Sequence, residues 1–185
     1  MENYFVDAIC QAAVEILGEK EAFTTLKEMG FPTLISADAS RFSLEDMGVV
    51  LARKYNPQTA MGLLIRMGRA SLIFLRRYFS DISELGTIEN RLKPLDKRFL
   101  SSLGVLAQRV SSELDLSAEV AAQGGLTYAW QVQPAQQTYA IYYHFGLLEE
   151  FCTWLDSRKN YQLNYAGSEA GSDSCQITLT VKDPQ

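Results

Sequence analysis

One histidine, His144, and three cysteines, Cys10, Cys152 and Cys175, are the side chains best suited to nucleophilic or metal chemistry in this 185-residue chain. A thiol beside an imidazole would make an activated nucleophile. The three cysteines are scattered, and sequence alone does not bring any of them to His144. The simpler reading of His144 is a helix residue hydrogen-bonded to backbone or water. A lone histidine without a C-x-x-C pair cannot assemble a multi-histidine centre or a cysteine-rich zinc module within one copy, so no metal site is expected. No G-x-S-x-G elbow is present, and GSEAGSDS (167–174) lacks the G-K-[ST] ending of a phosphate loop. Catalytic residues are therefore expected to be absent.

The remaining candidates are binding groups. Arg66 and Arg69 fall on one sector of an otherwise apolar segment, MGLLIRMGRASLIFLRRYF. Arginine offers paired donors to a carboxylate or phosphate head, and the alternative is a solvated helix edge with local ion pairs. Met67 and Phe74 from the same segment would add apolar lining. Trp130, Tyr143 and His144 belong to an aromatic concentration that would line a cavity for a flat or long apolar ligand or, equally, fill an ordinary core.

Helices and hairpins must position these groups. Residues 3–17 place Phe5, Ile9, Ala13 and Ile16 on one helical stripe. That stripe is the expected dimer contact through Phe5, Ile9 and Ile16. A second short helix is predicted over Glu19–Met29 and a loop over 33–42. Ser43, three residues before Asp46, caps a helix that stops before Asn56-Pro57. Pro57 suits the first turn of the next helix, which runs through Phe79. Its Gly62 and Gly68 imply close approach by another helix or a ligand. Residues 80–92 read as a polar connection, and a long helix follows from Pro94. Alternation around Gly124-Gly125 predicts one hairpin. Residues 139–157 form a helix, and Tyr161–Tyr165 pairs with Cys175–Val181 in a second hairpin. The expected fold class is α+β, with N-terminal helices packed on a four-stranded antiparallel sheet of ββαββ order. One domain over 1–185 is expected, its 1–115 part mostly helical and its 116–185 part carrying the sheet.

Composition bounds the function. The chain is 47% hydrophobic and 21% charged, with net charge -5, near globular averages. Residues 1–109 hold 14 basic against 13 acidic side chains, and residues 110–185 hold 3 against 9. Nucleic-acid binding would need a local basic patch and is not expected. No apolar run reaches the ~20 residues that span a bilayer. Glu2 and Asp7 interrupt the start as a signal peptide. Three unpaired thiols fit a reducing compartment, so the expected location is cytoplasmic.

Three segments in order resemble a known family. FSLEDMGVVLARKYNPQTAMGLLIRMGRASLIFL is similar to its long-helix region, IYYHFGLLEEFCTWL to the helix between its hairpins, and GSEAGSDSCQITL to its closing hairpin. The family is the 4-vinyl-reductase-like, or hydrocarbon-binding, domain, whose superfamily includes transport-particle subunits and haem-based nitric-oxide sensors. The resemblance implies a dimerising domain with an apolar cavity between helices and sheet. The chain departs from the family's cysteine-rich set. VQPAQQTY stands where a Cys pair is usual, Tyr143 stands where a Cys commonly precedes the histidine, and Asn164 and Gly167 replace an acidic residue and a Cys. Only Gly171 and Cys175 match, which implies a lost metal site. The sensors' tyrosine–serine–arginine signature is not evident. Cys or Tyr can also ligate haem iron, but no cofactor is expected.

The function expected from residues and resemblance together is non-enzymatic binding of a hydrophobic small molecule, in a regulatory homodimer. A scaffold protein with a vestigial pocket is the second reading. A tetrapyrrole vinyl reductase is the third, and it lacks a nucleotide fingerprint.

Overall fold

The computed structural model describes residues 3–31, 42–114, 116–134, 138–166 and 174–183. Helix α1 spans Tyr4–Leu17. Its start is fixed by the Asn3 carboxamide oxygen, which accepts from the Phe5 and Val6 amides at 3.1 and 2.9 Å. Gly18, at φ 82°, turns the chain into α2, Glu19–Glu28. Ser43 caps α3 (Leu44–Lys54), its hydroxyl accepting from Asp46 N at 3.2 Å. Helix α4 (Pro57–Tyr78) begins with Asn56 accepting from Thr59 N at 2.8 Å and carries Pro57 in its first turn. These boundaries follow the sequence expectations, while most of the loop predicted over 33–42 lies outside the described residues.

The segment read as a polar connection over 80–92 instead contains two short helices, α5 (Ser80–Glu84) and α6 (Ile88–Arg91). Fully buried Ile82 and the buried Asn90 hold it down, with Asn90 Nδ2 donating to Leu85 O at 2.7 Å. One apolar and one amide anchor are too few to generate a helical period, which is why the sequence pattern misses them. Helix α7 follows at Leu95–Glu113.

The sheet comprises β1 (Ser117–Gly124), β2 (Thr127–Gln133), β3 (Asn160–Ala166) and β4 (Cys175–Lys182), with α8 (Ala140–Leu155) between β2 and β3. Its order is β1-β2-β4-β3, every neighbour antiparallel. Gly124 and Gly125 supply the positive φ values (104° and 56°) that the β1–β2 turn requires. The connection predicted for β3–β4 lies outside the described residues over 167–173. Register aligns Val120, Trp130, Ile177 and Tyr165 across the four strands, so their side chains share one face. Helices α7 and α8 cover that face. Phe99 of α7 stacks on Tyr128, with ring centroids 6.3 Å apart, and also meets Tyr161 at 5.8 Å.

Behind α8 lies α4, and behind α4 lies α1. An added Cβ on Gly68 would stand 2.1 Å from Tyr143 O, and one on Gly146 would stand 2.0 Å from Ile65 O. The two helices therefore cross backbone to backbone, and each glycine accommodates the other helix. Gly68 thus has the helix-contact role that its sequence context implied. Gly62 is exposed with open space around it, so neither a helix nor a ligand accounts for it. Apolar residues from all these layers form one continuous core.

Candidate functional site

Helix α8 is buried on nearly every side. Ile141, Tyr143, His144, Leu147, Leu148, Phe151 and Cys152 all lie within the core, as expected for a helix between two layers. Its N-terminus is set by a distant carboxylate. Glu45, in the first turn of α3, accepts from the amides of Thr138, Tyr139 and Ala140 at 3.1, 2.8 and 3.0 Å. Those three amides would otherwise be free at a helix start, so Glu45 fixes where α8 begins.

Tyr143 and His144 are consecutive and therefore point about 100° apart on the helix. Tyr143 faces the helical layers, where Ser71 of α4 and Cys10 of α1 act on its phenol. Burial pushes that phenol far above its ordinary value, and the Ser71 hydroxyl draws it back slightly. Ser71 itself donates to Met67 O at 2.8 Å. His144 faces the sheet, its ring 6.1 Å from that of Trp130 and 5.9 Å, edge-on, from Tyr143.

Both rings at the α8–sheet interface carry unmet polar atoms. His144 Nδ1 and Nε2 and Trp130 Nε1 are buried without a hydrogen-bond partner, and Tyr143 Oη has no bond of ordinary geometry. More than nine in ten buried polar groups in folded proteins are satisfied, so this concentration is unusual. Each unmet group costs about 1–3 kcal/mol. With no charge to hold a proton, burial pushes the imidazole down to about 4. At neutral pH His144 is therefore uncharged, with one nitrogen a donor and the other an acceptor.

The predicted binding residues divide into two places. Trp130, Tyr143 and His144 meet in the interior, and fully buried Met67 belongs to the same core. Arg66 and Arg69 are exposed on the outer edge of α4. They line a surface groove of about 480 Å³ with Ile16, Ile73, Arg76 and Trp154. Arg69 Nε donates to Glu149 at 2.9 Å, the local ion pair that its alternative reading describes. Phe74 is half-buried, with the Arg77 guanidinium 5.6 Å from its ring. A single pocket combining the arginine pair with the aromatic group is thus not what the fold builds. Arg66 and Arg69 lie at the exposed edge of the α4–α8 seam, where Arg69 pairs with Glu149 of α8, whereas Met67 is buried in the core.

The dimer stripe divides similarly. Phe5 and Ile9 are completely enclosed in the chain's own core, and of the three only Ile16 keeps accessible surface. An Ile9→Asp change would therefore disrupt folding before it could report on a dimer.

The cysteines are chemically quiet. All three are buried and none forms a disulfide. Burial, with Asp7 adding to it, pushes the Cys10 thiol up to about 12, and burial alone pushes Cys152 higher still. Among the described residues no group of three or more His, Cys, Asp or Glu could hold a metal ion. No described helix is long and apolar enough to cross a membrane.

Sequence reasoning missed Glu45, Ser71 and a buried ion pair between Arg98 and Asp156, whose Nη2–Oδ2 distance is 2.6 Å. Glu45 and Ser71 act on a helix more than 70 positions away, so no local pattern identifies them. Arg98 sits beside Phe99 at the margin of the α7 apolar stripe, and that position was the available signal.

No protein-family pattern matches the chain, and no curated protein matches it either. Solved structures of low sequence identity share its fold. A phenylalanine-to-leucine variant of Tt H-NOX is 13% identical with a TM-score of 0.63, covering 100% of this chain and 97% of that one. An H-NOX structure from a study of heme distortion is 10% identical, with a TM-score of 0.64 and coverage of 100% and 96%. An oxygen-binding H-NOX domain related to soluble guanylate cyclases is 11% identical, with a TM-score of 0.62 and coverage of 100% and 96%. The chain has an H-NOX-like α+β fold, as the expected fold class has it.

Proposed function

We propose that this chain is a non-enzymatic binding or regulatory domain for a hydrophobic small molecule held between α8 and the sheet. The observation that carries the reading is the set of unmet polar atoms on His144 and Trp130. A neutral imidazole supplies a donor and an acceptor, and the indole supplies a donor. A hydroxyl or carbonyl on an otherwise apolar molecule is the complementary group. Because Gly68 and Gly146 lock α4 to α8, the helices move as a unit and the sheet is the layer that yields. A ligand that favours the parted arrangement shifts the population toward it and changes the outer surface. Kinship with the hydrocarbon-binding family is part of this proposal.

Haem, named for some structures of this fold, does not fit the residues here. His144, the chain's only histidine, is wedged against Trp130 and Tyr143. The buried thiols of Cys10 and Cys152 and the Tyr143 phenol are held neutral, which makes them poor iron ligands.

A homodimer through the helical part also belongs to the proposal, with Ile16 and the 48%-exposed Ile73 as the apolar surface on the α1–α4 edge. Native mass spectrometry and solvent extraction of the purified protein test the ligand reading. A bound apolar alcohol or carbonyl compound, lost in His144→Leu, is the expected result. Protein free of any such compound, and unchanged in melting temperature across a panel of long-chain alcohols and ketones, would overturn it.

A further inference from the structure

A second site, sharing no residue with the His144 group, lies where α8 ends. A pocket of about 420 Å³ is lined by Arg91, Arg98, Trp154, Asp156, Ser157 and Arg158, together with Leu155. Its arginines come from three elements: the end of α6, the first turn of α7, and the turn between α8 and β3. Asp156 is the carboxylate of the pocket. Arg98 Nη2 donates to its Oδ2 at 2.6 Å, and Arg158 Nε and Nη2 donate to Oδ1 and Oδ2 at 3.0 and 3.1 Å.

The charge does not balance. Three guanidinium groups face one carboxylate and the carbonyl end of α8, which is equivalent to roughly half a negative charge. A surplus of about 1.5 positive charges remains by the same reckoning. The donors do not balance either. Arg98 is 3% exposed, yet its Nε has no partner and its Nη1 makes one long bond of 3.4 Å to Arg91 O. Arg91 makes no side-chain ion pair among the described residues. A buried, under-satisfied guanidinium beside two exposed ones is an arrangement that a multivalent oxyanion completes.

We propose that this pocket binds a phosphate group, either as inorganic phosphate or as a small phosphate monoester. Phosphate is favoured over a carboxylate because its charge exceeds one and its oxygens point in several directions, matching guanidinium groups that converge from three elements. The volume lies within the range of small-molecule sites, which leaves room for an organic remainder against Trp154. One face of that indole is already taken by the Arg76 guanidinium, 4.5 Å from the ring centroid.

Trp154 supplies the readout, since the other tryptophan, Trp130, is buried in the core. The full chain is titrated with inorganic phosphate and, separately, with phenyl phosphate, at constant ionic strength set by chloride. A saturable change in tryptophan fluorescence is expected, and it should vanish in Trp154→Phe. Tighter binding of phenyl phosphate identifies a monoester as the ligand class, and equal binding identifies phosphate itself. Arg91→Ala should weaken binding about tenfold, the scale of one charge-assisted contact. Because Arg91 supports no ion pair among the described residues, that variant leaves the Arg98–Asp156–Arg158 group intact. No saturable signal from either compound up to about 10 mM, beyond even weak millimolar binding, would overturn the proposal. Unchanged affinity in Arg91→Ala would do the same. Either failure leaves the His144 reading untouched, because the two sites share no residue.

Discussion

Lowering the pH should destabilise the protein through His144, by an amount that can be worked out in advance. In the unfolded chain a histidine titrates near 6.5, whereas burial holds this one down to about 4 in the native state. Between these values the unfolded chain binds a proton that the native chain refuses, so stability falls as pH falls. The contribution is complete above about pH 6.5, about 2 kcal/mol is lost by pH 5, and about 3 kcal/mol by pH 4. That is a large share of the roughly 5–15 kcal/mol typical of a domain. Asp156, held well below the usual carboxylate range by Arg158 and Arg98, acts in the same direction, but its contribution is lost only as pH falls below about 3.8. The assay is urea unfolding of the native sequence and of His144→Leu across this range. Other titrating groups cancel in the difference between the two proteins. The variant should gain on the parent by about 1.4 kcal/mol for each pH unit below 6.5, down to about pH 4. A difference that stays flat from neutral pH to about 4.5 would contradict a buried, neutral His144. It would mean that His144 is solvated or paired.

The glycines of α4 should respond in opposite ways. Gly62→Ala has open space and should stabilise by up to about 1 kcal/mol. Gly68→Ala must push against the Tyr143 carbonyl and should cost about 1–3 kcal/mol, as read from urea midpoints. The cysteines should resist alkylation at neutral pH in the native protein, because all three are buried and Cys10 and Cys152 are held as thiols. Labelling followed by mass spectrometry should therefore track the rate of unfolding, and rapid modification of any one of them would contradict its placement.

The elements that define this fold were legible where local chemistry sets them. Asn56-Pro57 opening α4, Ser43 capping α3 and Gly124-Gly125 turning the first hairpin each act within four residues. The alternation of β4 was equally plain, because a sheet with one covered face imposes period two on it. The candidate site was only half legible. The aromatic concentration around α8 pointed to Trp130, Tyr143 and His144. No sequence pattern revealed that Tyr143 and His144 face different layers, that Glu45 caps α8 from α3, or that Gly68 and Gly146 oppose one another. These are relations between helices, and periodicity describes one helix at a time. By the same limit, periodicity does not separate Arg66 and Arg69 from binding residues that the fold places elsewhere.

Whether a ligand sits between His144 and Trp130 is decided by a high-resolution crystal structure of the purified full chain. Non-protein density of several atoms is expected within hydrogen-bond distance of His144 Nδ1 or Nε2 and of Trp130 Nε1. A closed, dry contact between the rings, or one lone water bridging them, would contradict it.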